Sequence, residues 1–311
     1  MYDVLIVGSG PAGLSAAVYA KRFGLKVAVL EKDYMGIGQI AESRRVDNYP
    51  GFYGISGFDL GEKLREHALA LQVEFLTGKV SQIQLADEKK NTERRFFLQC
   101  DGGKEFEARA ILYAAGASPK KGQIAGENAL VGRGVSYCAL CDGAFYKGKK
   151  VAVLGGGDTA LDDALYLSEL CETVYLIHRR ETFRGSESTV LQLKEKANVV
   201  FLLKEEADSI LGEKQLEGIR LKSGRELAVD GVFVAFGSSP NSAVLRDFVQ
   251  LDSLGYVVAG EDGKTTCEGI YVAGDIRTKE LRQVVTAVSD GANAATSVYK
   301  YLHSRPSRER F

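Results

Sequence analysis

The chain lacks the features that would place a protein in a membrane or on a highly charged partner. No apolar run approaches the roughly 18 residues that a membrane-spanning helix needs. Its 40 basic and 41 acidic side chains leave a net charge of −1, so neither a nucleic-acid surface nor an anionic membrane surface is indicated. The opening "MYDVLIVG" has no basic segment and no small-residue cleavage site, so we expect no secretory signal and a cytoplasmic location.

Cysteine is also scarce, with five residues in 311. An odd number in a chain without an expected secretory signal argues against a structural disulfide framework. Cys100, Cys171 and Cys267 stand singly and are expected to be ordinary core or surface thiols. Cys138 and Cys141 differ, because they form a CxxC motif followed directly by an aspartate.

A CxxC motif has three ordinary interpretations: half of a zinc site, an incidental pair, or a redox dithiol. Zinc needs about four nitrogen or sulfur ligands. The chain has no second CxxC, and its three histidines are scattered, so no metal site is expected. A redox dithiol is favoured where a flavin in the same chain can pass two electrons to a disulfide.

What the chain has is an internal repeat. Residues 4–31 and 151–178 each read as an apolar strand, a glycine-rich turn, a small-residue helix and a second apolar strand. In such a βαβ unit the first glycine makes the turn, the second lets backbone approach a pyrophosphate, and the third allows close helix–strand packing. With 311 residues, two domains are expected. The turn positions are Gly8, Gly10 and Gly13 in the first copy and Gly155, Gly157 and Ala160 in the second.

The two repeats end differently, and the difference predicts their ligands. Glu31 ends the first and can accept hydrogen bonds from the ribose of an unphosphorylated adenosine, as in FAD or NAD. His178 ends the second and is followed by Arg179, Arg180 and Arg184, where a 2′-phosphate would lie. Because arginine binds phosphate bidentately, the second site is predicted to take NADPH rather than NADH. A solvated basic face is the alternative.

Motifs along the whole chain strengthen this interpretation. The sequence resembles the low-molecular-weight thioredoxin reductases of bacteria, which are class II pyridine nucleotide-disulfide oxidoreductases. The motifs that carry the resemblance, in family order, are "GSGPAG", "CALCDG", "GGGDTA", "HRRETFR", "YVAGDI" and "LRQVVTA". One departure is Ala144, which stands where the family often has the first of two bulky aromatic residues.

The resemblance implies an α/β fold with two Rossmann-like, three-layer ββα dinucleotide-binding domains, the NADPH domain being inserted in the FAD domain. We therefore expect an FAD domain at 1–113 and 244–311, an NADPH domain at 114–243 that carries the CxxC motif, and a homodimer.

The resemblance also implies the site residues. The FAD-binding residues would be Gly8, Gly10, Pro11, Ala12, Gly13, Glu31, Lys32, Gln39, Asn48, Ala115, Gly116, Gly274, Asp275, Arg282, Gln283 and Val284. The NADPH-binding residues would be Gly155, Gly157, Asp158, Thr159, Ala160, His178, Arg179, Arg180 and Arg184.

For the dithiol, the resemblance implies that Cys141 lies next to the flavin, that Cys138 attacks the disulfide of thioredoxin, and that Asp142 protonates the departing thiolate. The implied activity is hydride transfer from NADPH to FAD, then electron transfer to the Cys138–Cys141 disulfide and reduction of thioredoxin or a thioredoxin-like protein. Two alternatives stay open: the same fold with ferredoxin as donor or with another disulfide partner, and a flavoprotein that serves as a sensor or scaffold.

Overall fold

The computed structural model describes residues 1–32, 36–43, 45–86 and 94–304. The chain divides into two compact units, one formed by Met1–Ser118 with Ser239–Phe311 and the other by Pro119–Ser238. These boundaries differ by a few residues from those expected from the sequence. Two short strands, Ala117–Pro119 and Ser238–Pro240, pair with each other where the chain passes between the units. No helix of the described residues is long and apolar enough to cross a membrane.

The strands are numbered along the chain. They are β1 Tyr2–Val7, β2 Val27–Glu31, β3 Glu74–Thr77, β4 Val80–Leu85, β5 Phe96–Cys100, β6 Glu105–Tyr113, β7 Ala117–Pro119, β8 Val135–Ser136, β9 Lys150–Leu154, β10 Thr173–His178, β11 Val199–Leu203, β12 Ala207–Leu211, β13 Gly218–Leu221, β14 Glu226–Leu227, β15 Gly231–Val234, β16 Ser238–Pro240 and β17 Ile270–Val272.

The helices follow the same numbering. They are α1 Pro11–Arg22, α2 Gly57–Ala70, α3 Ala139–Asp142, α4 Asp158–Ser168, α5 Glu187–Lys194 and α6 Val284–Ser304. Short 3₁₀ turns occupy Gln39–Glu42, Asn128–Leu130, Gly143–Tyr146 and Ala243–Leu245.

The first unit is a three-layer structure around a parallel sheet. Strands β3, β2, β1, β6 and β17 lie side by side in parallel, and β4 and β5 continue from β6 as an antiparallel extension. Both faces of β2 are buried: Val27 and Val29 face helices α1, α2 and α6, whereas Ala28 and Leu30 face the antiparallel strands. Burial on both faces explains why β2 reads as an unbroken apolar run.

Helices α1 and α6 approach each other closely in this unit. The contact requires glycine at position 291 of α6. A Cβ there would overlap the Ala12 carbonyl and lie 2.9 Å from the Ala16 amide nitrogen. Pro11 occupies the first position of α1, where its missing N–H has no helical partner to lose. Because proline is tolerated at this position, α1 can begin directly after Gly10 of the glycine turn.

The second unit repeats the plan in smaller form. Strands β11, β10, β9, β15 and β8 make a parallel sheet, with α4 and α5 on one face and the antiparallel strands β12, β13 and β14 on the other. The predicted fold class, two Rossmann-like ββα units, is confirmed.

The apolar run at 255–260 has the composition of a strand, but Val257 makes isolated bridges to Leu251 and Arg277. The neighbouring Val258 N–H donates to the Gln250 carbonyl at 2.9 Å. The alanine-rich segment Val284–Ser304 forms α6.

Candidate active site

The glycine turn of the first unit follows β1 and opens α1. Gly8 has a φ of +103°, and a Cβ there would lie 2.6 Å from the Ala114 carbonyl oxygen. A Cβ on Gly13 would overlap the Gly8 carbonyl, so the helix can pack on the turn only with glycine present. Gly38 lies against Gly10, since its Cβ would be 2.8 Å from the Gly10 Cα. The turn and the N–H groups at the start of α1 suit a pyrophosphate.

Glu31, at the end of β2, is held facing this turn. One of its carboxylate oxygens accepts hydrogen bonds from the backbone N–H and the hydroxyl of Ser9, both at 2.8 Å. The other accepts from the backbone N–H of Lys32 at 2.8 Å. Ser9 is buried, so the carboxylate is fixed beside the glycine turn, where an adenosine ribose would lie.

Asp275 has a buried side-chain oxygen that bears on whether a flavin cofactor fits this unit. Its Oδ1 atom is buried and has no hydrogen-bond partner within the described residues. Burial raises the pKa of this carboxyl, and the nearby Lys279 and Arg282 oppose the shift. A buried acceptor without a protein partner fits the hydroxyl groups of a ribityl chain. The residues present therefore fit FAD at this position.

Other predicted flavin-contacting residues meet at the start of α6. The Asn48 amide donates to the Gln283 Oε1 at 2.9 Å, which joins two predicted residues from distant parts of the chain. Thr286 accepts from the Gln283 N–H at 3.1 Å and caps the helix that begins at Val284. The Arg282 guanidinium lies 4.1 Å from the ring centre of Tyr256.

Residues 115 and 116 are held by a side chain from the returning segment of the first unit. The Asn241 amide donates to the Ala115 carbonyl at 2.8 Å, and the Asn241 N–H donates to the Gly116 carbonyl at 3.0 Å. The Gln39 amide donates to the carbonyl of Ala117. Ala115 also lies next to the first glycine turn, since a Cβ on Gly8 would be 3.2 Å from the Ala115 Cα.

A buried charge cluster supports the loop that carries Asp275. The carboxylate of Asp290, on α6, accepts from Arg277 at 2.8 and 2.7 Å, from Lys279 at 2.9 Å and from the Gly274 N–H at 2.9 Å. The three charged side chains are each less than a tenth exposed. Asp290 therefore ties the 274–279 loop to α6.

The glycine turn of the second unit has the same construction. A Cβ on Gly155 would lie 2.6 Å from the Ala235 carbonyl and 2.7 Å from the Ala160 Cβ. Gly157 has open space at its Cβ position and precedes α4, whose exposed first residues are Asp158 and Thr159. The open side of this turn is where a second pyrophosphate would approach.

In the second site, His178 is buried and the three arginines that follow it are exposed. The His178 ring is buried, stacks on Phe183 with ring centres 5.2 Å apart, and lies 3.2 Å from the Thr182 carbonyl through Nε2. Burial lowers its pKa, and the nearby arginines act in the same direction. Arg179, Arg180 and Arg184 are exposed. The histidine therefore supports the loop, and the arginines are accessible to a phosphate.

The CxxC motif lies at helix α3 of the second unit. Cys138 and Cys141 form a disulfide with Cα atoms 5.3 Å apart, and the Cys138 sulfur accepts from the Cys141 N–H at 3.2 Å. Asp142 is largely buried, and burial raises its pKa although the Ser136 hydroxyl donates to it at 2.6 Å. A carboxyl whose pKa is raised can hold a proton beside the disulfide.

The three cysteines outside the CxxC motif are not part of the disulfide. Cys100 and Cys171 are buried, and Cys267 is partly exposed. Burial raises the pKa of Cys100, and it raises that of Cys171 to about 11. Within the described ranges, no group of three or more His, Cys, Asp and Glu side chains is placed to hold a metal ion.

The sequence pattern of the pyridine nucleotide-disulphide oxidoreductase family matches residues 2–291. The chain belongs to this family. Thioredoxin reductase from Helicobacter pylori is 41% identical over 97% of this chain and 99% of its own length. Thioredoxin reductase from Bacillus subtilis is 40% identical over 97% and 95%. The crystal structure of thioredoxin reductase from Streptococcus pyogenes has a TM-score of 0.91 at 35% identity, covering 98% of this chain and 99% of that one.

Membership in the pyridine nucleotide-disulphide oxidoreductase family defines the chemistry of the site. The protein is an FAD-containing, NADPH-dependent flavoprotein oxidoreductase with a redox disulfide at Cys138–Cys141. The resemblance found in the sequence is confirmed.

Sequence reasoning missed residues that hold this oxidoreductase's site in place. Ser9, Gly38 and Ser136 each contact a predicted residue but were not themselves predicted, although Ser9 stands inside the "GSGPAG" motif. Asp290 had a signal that could have been used: an acidic residue in an alanine-rich, apolar segment needs a cation when it is buried. Arg277, just after the "AGD" motif, is its main partner.

Proposed function

We propose that this oxidoreductase reduces the active-site disulfide of thioredoxin with electrons from NADPH. The reaction consumes NADPH, a proton and oxidised thioredoxin and yields NADP⁺ and thioredoxin with two thiols. The observation that carries the proposal is the Cys138–Cys141 disulfide followed by Asp142, whose pKa is raised by burial, in a chain with two dinucleotide turns. The relatives at about 40% identity over nearly their full length support it.

The first unit would hold FAD along the surface described above. The turn at Gly8 to Gly13 binds the pyrophosphate, Glu31 the adenosine ribose and Asp275 the ribityl chain. Bound there, FAD supplies the acceptor for a hydride and the donor of two electrons to a disulfide. Gln283 and the start of α6 would border the flavin, where helix N–H groups favour negative charge.

The dithiol then carries out thiol–disulfide exchange. The Cys138 thiolate attacks one sulfur of thioredoxin, forming a mixed disulfide and releasing a thioredoxin thiolate, which takes the proton held by Asp142. Cys141 attacks the Cys138 sulfur, which restores the Cys138–Cys141 disulfide and releases the second thioredoxin sulfur. The Cys141 N–H near the Cys138 sulfur stabilises negative charge there, which supports Cys138 as the attacking thiolate.

NADPH is the proposed donor because the second site carries three exposed arginines. Arg179, Arg180 and Arg184 surround the end of β10, where the 2′-phosphate of NADPH would lie. A ferredoxin donor needs neither this arginine set nor the intact "GGGDTA" turn. We therefore assign the described dinucleotide site of the second unit to NADPH.

We also assign the FAD domain to 1–113 and 244–311 and the NADPH domain to 114–243. The two compact units, one discontinuous and one continuous in sequence, support this division. We propose in addition that the protein is a cytoplasmic homodimer, as the resemblance implies.

The two cysteines should fail differently when replaced, and this tests the proposal. In Cys141→Ser, Cys138 can attack oxidised thioredoxin but nothing resolves the mixed disulfide, so a covalent complex should accumulate on a non-reducing gel. In Cys138→Ser, no complex should form. Both variants should still pass hydride from NADPH to FAD, seen as bleaching of the flavin absorbance.

Cys267→Ser is the matched control, because it removes a partly exposed thiol outside the motif and should keep full turnover. Complex formation by Cys138→Ser instead would exchange the two roles. Full thioredoxin reduction by either motif variant would remove the disulfide from the mechanism and overturn the proposed function.

A further inference from the structure

The loop that carries the arginines is fastened to the glycine turn of the second unit. The Arg184 N–H donates to the Gly156 carbonyl at 2.8 Å. Two residues later, the Ser186 N–H donates to the Asp158 Oδ1 at 2.8 Å. These bonds join the segment after β10 to the turn before α4, which would hold the pyrophosphate.

Gly185 lies between these two bonds and makes the closest approach. A Cβ on Gly185 would lie 2.7 Å from the Asp158 amide nitrogen and 2.9 Å from the Gly157 carbonyl carbon. Those backbone atoms cannot move aside without opening the turn. At the other end of the loop, His178 packs under Gly156 and contacts the Thr182 carbonyl. Both ends of the arginine loop are therefore fixed to the same turn.

Asp158, which the resemblance places among the NADPH-binding residues, brings a negative charge to the pyrophosphate site. It begins α4, and a carboxylate there repels the phosphates that the turn is expected to bind. The stabilisation that an acidic residue gives a helix N-terminus does not depend on which nucleotide binds. Its hydrogen bond to Ser186, by contrast, acts on the arginine loop and so can affect NADPH and NADH differently.

We propose that Asp158 and Gly185 are positioning residues that set the preference for NADPH over NADH. They touch no 2′-phosphate themselves; they hold the loop of Arg179, Arg180 and Arg184 on the glycine turn. Exposed arginines on a fixed loop lose less conformational freedom when they bind phosphate than arginines on a loose one. The inference rests on the proposed assignment of these arginines to the 2′-phosphate.

The charge and the hydrogen bond of Asp158 predict opposite effects, which makes the test sharp. Removing a negative charge near the phosphates should tighten binding of both nucleotides. Releasing the arginine loop should weaken binding of the phosphorylated one alone. Asp158→Ala does both, whereas Asp158→Asn removes the charge but keeps an oxygen that can accept from Ser186.

The experiment measures the dissociation constants of NADP⁺ and NAD⁺ for the FAD-loaded protein by calorimetry, with the KM values for NADPH and NADH as a second readout. In Asp158→Ala, binding of NADP⁺ should weaken relative to binding of NAD⁺ by roughly 3- to 10-fold, as expected for one lost hydrogen bond, and binding of NAD⁺ should not weaken. The KM for NADPH should rise relative to the KM for NADH. Asp158→Asn should restore the preference, and Gly185→Ala should lower it.

Asp162→Ala is the control, since it removes the same charge one turn further along α4 from an exposed position. It should leave the ratio of the two constants unchanged. If Asp158→Ala changes the two dissociation constants by the same factor, so that their ratio stays that of the parent protein, the positioning role is refuted.

The same titrations separate this inference from the assignment beneath it. A double variant, Arg179→Gln with Arg180→Gln, should lower the preference for NADP⁺ by itself. If it does not, the 2′-phosphate assignment fails and the positioning role fails with it. If it does while Asp158→Ala and Gly185→Ala leave the ratio unchanged, only the positioning role is refuted.

Discussion

Replacing Asp290 by asparagine should destabilise the first unit more than any exposed charge change. Asp290 receives four hydrogen bonds, three of them from the buried cations of Arg277 and Lys279. Asparagine keeps one acceptor oxygen but removes the negative charge that pairs with both cations. Two positive side chains, each less than a tenth exposed, are then left in the interior.

The size of the effect follows from this burial. Breaking a buried ion pair by removing one partner costs about 3–5 kcal/mol, because the remaining charge is desolvated without compensation. In a unit of this size each kcal/mol lowers Tm by roughly 2–4 °C. The variant should therefore unfold roughly 6–20 °C below the parent protein. It should also bind FAD more weakly, since the loop that carries Asp275 loses the negative charge that holds Arg277 and Lys279 on α6.

Thermal unfolding of the FAD-loaded protein measures this, with release of FAD followed by its fluorescence. Adding Lys279→Met to Asp290→Asn removes one of the two uncompensated cations, so the double variant should recover part of the lost stability. Asp262→Asn is the matched control: its pair with Lys264 spans 3.3 Å at the surface, where such a pair is worth less than about 1 kcal/mol. A Tm change in Asp290→Asn no larger than in this control would refute the reasoning.

Three further predictions concern the second unit. Arg179→Gln with Arg180→Gln should lower the ratio of kcat/KM for NADPH to that for NADH by about tenfold or more, since charge-assisted bonds to phosphate contribute about 1.5–3 kcal/mol when buried and less at exposed positions; an unchanged ratio contradicts the assignment. Asp142→Asn should slow thioredoxin reduction but not flavin reduction by NADPH. Because burial raises the pKa of Asp142, its ionised form costs stability as pH rises, so Asp142→Asn should match the parent protein below about pH 4 and exceed it at pH 7 in urea unfolding; equal stability at both pH values contradicts this. Burial, with Asp162 as a smaller cause, raises the pKa of Asp163 from 3.8 to about 7, so Asp163→Asn should gain up to about 4 kcal/mol by pH 8, most of it between pH 4 and 7; no gain at pH 8 would show that this carboxyl is not held in a poorly solvated site.

The parts of the site that sequence predicted are those that depend on neighbouring residues. A turn such as Gly8 to Gly13 needs its glycines whatever the rest of the chain does, because the close contacts are made within one βαβ unit. Glu31 follows from the same unit, as the last residue of its second strand. The CxxC pair needs only three steps of chain, and its disulfide joins residues that are already adjacent.

The parts that sequence did not predict depend on distant segments. Asn241 holds the backbone at 115–116 only because the chain returns to the first unit after the inserted one. The bond between Asn48 and Gln283 likewise joins segments that no local pattern relates. The run at 255–260 has the composition of a strand, but in the part of the chain that the structure describes its pairing is limited to isolated bridges at Val257. Strand β12, by contrast, forms from the partly polar "ADSIL" because β13 lies beside it.

Burial of Cys100 and Cys171 has a consequence for chemical selectivity. A protein that meets disulfide-bearing partners repeatedly is exposed to reaction at any thiol it owns. With a pKa of about 11, Cys171 is thiolate in only about one molecule in ten thousand at pH 7, against a few per cent for an ordinary thiol. Cys100 is shifted in the same direction. Incoming disulfides therefore meet little competition from these two sulfurs, and the enzyme is protected from inactivating itself through mixed disulfides with its own substrate.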